Sequence, residues 1–109
     1  MTISLFAQFD ALPGNEAFVV GLIADFAGEV RAEAGNISFD PYTTNSGASI
    51  FVIEEYEDHS AFEAHLRSAH GLEFNRRLGP LIAGGASTLT MLERIQVRKE
   101  DAEREARNG

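Results

Sequence analysis

Three histidines lie close together in the chain, and one of them has the predicted surroundings of a general base. His59, His65 and His70 are spaced six and five residues apart. His65 shares a predicted helix face with small and apolar side chains, and an imidazole with a pKa near about 6.5 exchanges protons readily at neutral pH. We therefore expect His65 to be buried against a sheet, either as a base or as a structural hydrogen-bond partner of Glu54.

Glu54 and Tyr56 lie on one face of a predicted strand and complete the set of catalytic candidates. A buried carboxylate requires a partner, and pairing with His65 would satisfy both groups. Tyr56 is expected either to contact an aromatic substrate or to pack in the core. Aromatic, amide and imidazole side chains near the same predicted cavity are the substrate-binding candidates, although core packing or turn formation explains each of them too. They are Phe6, Asn36, Phe62, His70, Phe74 and Asn75.

Other residue types limit the chemistry. The chain has no cysteine, so a thiolate metal site and thiol catalysis are excluded. The three histidines do not share one helix face, and no acidic ligand pattern joins them, so neither a metal nor another cofactor is expected. The segment 33–35, a glutamate, an alanine and a glycine, is interpreted as a helix end that needs no chemistry.

Hydrophobic periodicity predicts the elements that position these residues. Strands are expected at 1–10, 36–42, 49–56 and 87–95, and helices at 16–34 and from Asp58 to Ile82, with an interruption at 68–71. This β-α-β-β-α-β order is typical of a ferredoxin-like α+β fold, in which helices cover one face of a four-stranded antiparallel sheet.

The third predicted strand suggests that the protein associates with itself. Residues 50–53 are apolar on both strand faces, which is typical of a strand that is buried on both sides. The helices of one chain cover only one of these faces. We therefore predict a homodimer that forms through the open face of the sheet.

Composition and charge exclude several partners. Residues 1–95, the predicted domain, hold 13 acidic residues, 5 arginines and no lysine, while the tail 96–109 is charged but neutral overall. Binding to a phosphate backbone or an anionic membrane requires clustered cations, so neither is expected. There is no basic-then-apolar leader and no apolar run of membrane-spanning length, so a cytoplasmic location is predicted. The tail is expected to be a frayed helix or disordered.

Two segments resemble the antibiotic biosynthesis monooxygenase family. Residues 33–42, EAGNISFDPY, resemble its first helix end and second strand. Residues 54–65, EEYEDHSAFEAH, resemble its most recognisable segment, in which a glutamate, an aromatic residue two positions on, an aspartate and a helical histidine recur at this spacing. The resemblance covers about residues 1–95.

The resemblance implies a dimeric α+β barrel with a cavity between the sheet and helices of each subunit. Several family members oxidise aromatic quinols or polyketides with O₂ and without flavin, haem or metal, and the resemblance implies that His65 is the base. Haem degradation is disfavoured because His65 stands where that branch has Trp and Asn75 where it has its axial histidine. Alternatives are an isomerase or other proton-transfer enzyme that binds a small anion through Arg76 and Arg77, and a non-catalytic ligand-binding dimer.

Overall fold

A four-stranded antiparallel sheet forms the centre of the computed structural model, which describes residues 1–98. The elements are β1 (Ile3–Asp10), α1 (Glu16–Arg31), β2 (Asn36–Thr43), β3 (Ser49–Tyr56), α2 (His59–Arg67), α3 (Ala69–Leu78) and β4 (Thr88–Leu92), with short 3₁₀ turns at Gly79–Leu81 and Ala83–Gly85. The strand order is β2-β3-β1-β4. This arrangement confirms the predicted ferredoxin-like α+β fold.

Strict alternation along the two central strands separates the faces of the sheet. Leu5, Ala7 and Phe9 of β1 are buried, as are Ile50 and Val52 of β3. Leu5 packs with Tyr56 and Phe62. The other four pack against the buried residues of α1, which recur at helical spacing and are Val19, Leu22, Ile23, Phe26, Ala27 and Val30. The core therefore lies between the sheet and the helices.

The other face of the sheet carries large apolar side chains that no helix within residues 1–98 covers. Phe6 pairs with Ile53 across β1 and β3, and Phe51 pairs with Tyr42 across β3 and β2. Ile53 and Phe51 are 42% and 37% exposed. Residues 50–53 are thus covered on one side only within the single chain, and burial of their second side by a partner chain stays a prediction.

Element boundaries differ from the predictions mainly at helix ends. Helix α1 ends at Arg31 rather than at residue 34, and β4 is shorter than the predicted 87–95. The predicted interruption between the later helices falls at Ser68, whose hydroxyl accepts a hydrogen bond from the Gly71 amide and donates one to the His65 carbonyl.

The chain beyond β4 is described only as far as residue 98, where it has no regular structure. Most of the predicted charged tail, residues 99–109, lies outside the described residues. In the part of the chain that the structure describes, no helix is both long enough and apolar enough to cross a membrane.

Candidate active site

A cavity of about 90 Å³ lies between the sheet and the helices. Its walls are mainly apolar, and its polar groups are those of Glu54, His65, Asn75 and Ser87. The apolar lining consists of Leu5, Ala7, Phe9, Ile23, Phe26, Phe39, Val52, Phe62, Leu66, Gly71, Phe74 and Leu89. An apolar cavity with a few convergent polar groups is the usual form of a small-molecule site.

His65 lies on α2 and presents one ring nitrogen to each of two carboxylates. Its Nδ1 is 3.0 and 3.1 Å from the two carboxylate oxygens of Glu33, while Nε2 is 3.8 Å from Oε1 of Glu54. The first contact is a hydrogen bond and the second is too long to be one. With Glu33 ionised, the Nδ1–H group of His65 donates to Glu33, which leaves the Nε2 lone pair of a neutral imidazole free.

Glu33 is the residue of the candidate site that the sequence analysis missed, because the segment 33–35 was interpreted as a helix end without chemistry. It lies in the connection between α1 and β2, where its side chain is only 12% exposed. Gly35 forms the turn with a φ of +85°, and a Cβ there would lie 2.5 Å from that of Ala61. Only glycine fits this approach to α2, which brings the connection, and Glu33 with it, beside His65.

Glu54 is buried and bound by Tyr56 rather than hydrogen-bonded to His65 as predicted. The Tyr56 hydroxyl donates to Oε1 of Glu54 at 2.7 Å. Burial raises the pKa of Glu54, and the hydrogen bond from Tyr56 and the nearby His65 oppose this only in part. Burial, followed by the charge of Glu54, also raises the pKa of Tyr56. Tyr56 therefore remains a neutral donor.

Three of the predicted substrate-binding residues line the cavity, namely Phe62, Phe74 and Asn75. The ring of Phe74 stacks on that of Phe26 with centroids 4.0 Å apart, so both rings form one rigid wall. Asn75 contributes an amide from α3. The structure thus brings these three residues together with His65 and Glu54 around one space.

The other predicted contacts with a substrate are not made at this cavity. Phe6 lies on the opposite face of the sheet, because it alternates with Leu5 and Ala7 along β1. Tyr56 is fully buried and does not line the cavity, so the predicted contact with a substrate ring is replaced by its hydrogen bond to Glu54. Asn36 donates to the Ser38 carbonyl, at the irregular start of β2.

His70 also lies outside the cavity wall, on the far side of Glu33. Its Nε2 is 2.5 Å from Oε2 of Glu33, so one carboxylate contacts two imidazoles. His59, by contrast, is exposed and pairs with Glu63 one turn along α2. Sequence spacing alone suggested no link between His65 and His70, because Glu33 is distant in the chain.

The two arginines of the predicted anion site lie away from the cavity. Arg76 binds Glu73 on the surface of α3, with contacts of 2.5 and 2.9 Å, and Arg77 lines an outer groove. No arginine is among the described residues that line the cavity. Within residues 1–98, no cluster of three or more histidine and acidic side chains is arranged to hold a metal ion.

The raised pKa of Glu54 predicts a particular dependence of stability on pH. A raised folded-state pKa means that the contribution to stability is complete below the unfolded-state pKa, about 4.3 for glutamate, and is lost as the pH rises through the folded value. Glu54→Gln retains a carbonyl acceptor for Tyr56 but does not titrate. We expect urea midpoints of the wild type to fall relative to those of Glu54→Gln as the pH rises from about 4 to about 8. A constant difference across this range would contradict the prediction.

The sequence of the chain matches a known protein family and one named relative in particular. The sequence profile described as antibiotic biosynthesis monooxygenase matches residues 2–77. The chain is 26% identical over 80 residues to "Putative monooxygenase Rv0793" of Mycobacterium tuberculosis, an alignment that spans 73% of this chain and 79% of that protein.

Solved structures give the same result for the fold. The structure of Rv0793 superposes with a TM-score of 0.79 at 24% identity, covering 89% of this chain and 98% of that one. PA3566 of Pseudomonas aeruginosa gives a TM-score of 0.78 at 25% identity, covering 87% of this chain and 95% of that one. A further crystal structure, of an antibiotic biosynthesis monooxygenase, gives 0.78 at 18% identity, with coverage of 88% and 100%.

Proposed function

The chain belongs to the antibiotic biosynthesis monooxygenase family, and from this premise we propose that it oxidises a small quinol-like or polyketide-like aromatic compound with O₂. The observation that carries the proposal is the position of His65. Nδ1 of His65 is hydrogen-bonded to Glu33, while Nε2 lies beside Glu54 at the polar part of an apolar cavity. A neutral imidazole in this setting is suited to remove a phenolic proton.

Deprotonation prepares the substrate for reaction with oxygen. The phenolic proton passes to Nε2 of His65, and the carboxylate of Glu33 stabilises the imidazolium through Nδ1. The electron-rich phenolate then bonds to O₂ through a ring carbon, and loss of water from the resulting hydroperoxide breaks the O–O bond. For a hydroquinone, the balanced reaction is hydroquinone plus O₂ giving hydroxyquinone plus water. The substrate loses four electrons and O₂ gains four, so no other co-reactant is required.

The cavity walls support an aromatic substrate of limited size. Phe26, Phe62 and Phe74 offer ring surfaces, and an apolar wall limits access of water to the phenolate. Engineered apolar cavities of about 150 Å³ hold one benzene ring, whereas this cavity measures about 90 Å³. A single ring that extends partly into solvent therefore fits better than a fused tricyclic compound.

Oxygen consumption tests the proposal directly. Metal-stripped wild type is supplied with a panel of hydroquinones and anthrones, and O₂ uptake and product mass are recorded. His65→Ala is expected to reduce turnover by about 100- to 10,000-fold, the usual contribution of a general base. His59→Ala is the matched control, because His59 is an exposed histidine on the same helix and pairs only with Glu63 among the described contacts.

The outcomes separate the candidate functions. Uptake by wild type and His59→Ala that is lost in a folded His65→Ala variant supports the oxygenase. Absence of uptake with every compound would overturn it, and so would full activity in His65→Ala. Hydrogen exchange between substrate and solvent without O₂ would instead favour the proton-transfer enzyme. Since no arginine lines the described cavity, an anionic substrate is the less favoured alternative.

We also propose that the protein works as a homodimer through the open face of the sheet. Phe6, Phe51 and Ile53 supply an apolar surface at the centre of that face. Exposed apolar patches of this kind commonly mark contacts between proteins. The proposal rests on this surface, and its test is given in the Discussion.

A further inference from the structure

A continuous line of contacts runs from the cavity to the protein surface through one carboxylate. Nδ1 of His65 is 3.0 Å from Oε2 of Glu33, and Nε2 of His70 is 2.5 Å from the same oxygen. The side chains of His65, Glu33 and His70 are 11%, 12% and 26% exposed. The line therefore begins at a buried base and ends at a partly exposed imidazole.

The two ends of this line face different spaces. His65 lines the cavity, whereas His70 lines a separate surface groove between α1 and α3. Around His70, the groove presents Asp25 and Glu29 from α1 and Glu73 and Arg77 from α3. The charged group that faces His65 from β3 is Glu54. Acidic side chains thus outnumber basic ones around the outer end of the line.

We propose that Glu33 and His70 form a proton relay that connects His65 to solvent without passing through the occupied cavity. The relay rests on the proposed function, in which His65 takes a proton from the substrate. The function assigned to His70 is new, because it does not contact the cavity and would otherwise only support Glu33. His70 is in this sense a positioning and proton-carrying residue rather than one that touches the substrate.

The proposed relay assigns a place to each proton. Nε2 of His70 and Oε2 of Glu33 both carry lone pairs, so a separation of 2.5 Å requires one shared proton between them. The imidazolium that forms when a proton arrives at Nε2 of His65 is stabilised by Glu33, and its Nδ1 proton passes to Glu33 only as the shared proton moves on to His70. The shared proton moves fully to Nε2 of His70, and the Nδ1 proton of His70 leaves to water. One proton enters and one leaves, and the reverse transfer restores the starting tautomers.

The proposed reaction includes proton transfers that such a relay would assist. In this reaction one phenolic proton passes to Nε2 of His65 and is needed again at the peroxide oxygen, while the second hydrogen of the water comes from the ring carbon that bears the hydroperoxide. Until that later step, His65 holds the phenolic proton on Nε2 and is a cation unless its Nδ1 proton is removed. The relay releases the Nδ1 proton to solvent through Glu33 and His70, so that His65 becomes neutral again with its hydrogen on Nε2. When Nε2–H is given to the peroxide oxygen, the reverse transfer returns a proton from solvent to Nδ1.

Turnover measurements with an added proton carrier test the relay. In His70→Ala, we expect kcat for O₂ uptake with a hydroquinone to fall about tenfold while KM for the hydroquinone is unchanged. Added imidazole should restore most of the loss because it can occupy the vacated position and carry a proton. Pyrazole, an azole of the same size that stays unprotonated near neutral pH, should not. His59→Ala should respond to neither compound, as an exposed histidine outside the line of contacts.

A second measurement needs no turnover. Nitrogen-15 NMR of the histidine rings across a pH series should show His65 and His70 titrating as a coupled pair, each shifting in two steps. Glu33→Gln should uncouple them, and His59 should titrate alone. Independent titration of His65 and His70 in the wild type would overturn the relay, as would an unchanged kcat in His70→Ala. Coupled titration in a protein that oxidises no hydroquinone would support the relay's connectivity while overturning the proposed function.

Discussion

Replacing Glu33 by glutamine is expected to lower kcat for O₂ uptake by about 100- to 10,000-fold, nearly as much as removal of His65 itself. In the proposed reaction, the carboxylate of Glu33, 3.0 Å from Nδ1 of His65, accepts the Nδ1–H and stabilises the imidazolium that forms when Nε2 takes up a proton. An amide of the same shape carries no charge, and its NH₂ group can hold His65 in the wrong tautomer. KM for the hydroquinone should change little, because Glu33 does not line the cavity.

The chain offers a matched control for this substitution. Glu63 makes the same kind of contact with a histidine, at 2.8 Å from Nε2 of His59, but on the exposed surface of α2. Glu63→Gln should leave O₂ uptake unchanged. If Glu33→Gln retained wild-type kcat while remaining folded, the carboxylate would be structural only, and the base would have to gain its orientation elsewhere.

The elements of this fold were predictable because local periodicity determines them. The alternation in β1 and the helical spacing of Val19, Leu22, Ile23 and Phe26 each follow from burial of one face, and both are visible without knowledge of the rest of the chain. The second strand of the predicted hairpin has the same bounds in the structure, at Ser49–Tyr56. The later helices were expected to break at residues 68–71, and in the structure Ser68 caps the second of them.

The site was only partly predictable because its contacts are made across long sequence separations. Glu54 lies nearer to His65 in sequence and was the natural choice of partner, yet its oxygen is bound by Tyr56. Glu33 is 32 residues from His65 and reaches it only because Gly35 lets the connection pass close to Ala61. A positive φ at one glycine is not encoded in any periodicity, so the sequence indicated a helix end and not a carboxylate in the active site.

The face of the sheet on which Phe6 lies could not be predicted from its residue type either. Its aromatic type suggested a cavity wall, but the pleat assigns alternate residues to opposite faces, and Leu5 and Ala7 already occupy the inner one. Phe6 therefore belongs with Ile53, its neighbour across the strands, on the open face. The apolar ring of Phe6 is thus better explained by the proposed dimer than by substrate binding.

Ile53→Asp is expected to convert the proposed dimer into a monomer. Ile53 is 42% exposed and lies beside Phe6 at the centre of the open face, so a symmetric contact would bury both copies. Loss of about 2 kcal/mol at each copy would weaken association by about 1,000-fold. Light scattering should then show the mass fall from twice 11.9 kDa to 11.9 kDa at micromolar concentration.

The control for this change is Leu72→Asp, which introduces the same charge at a leucine that is 60% exposed on α3 and away from the open face. It should leave the mass of the wild type unaltered, whereas Ile53→Asp should yield folded monomers by circular dichroism. A monomeric wild type at the same concentration would contradict the dimer. Phe6, Phe51 and Ile53 would then have to be explained by a different partner, because the helices of this chain occupy the other side of the sheet.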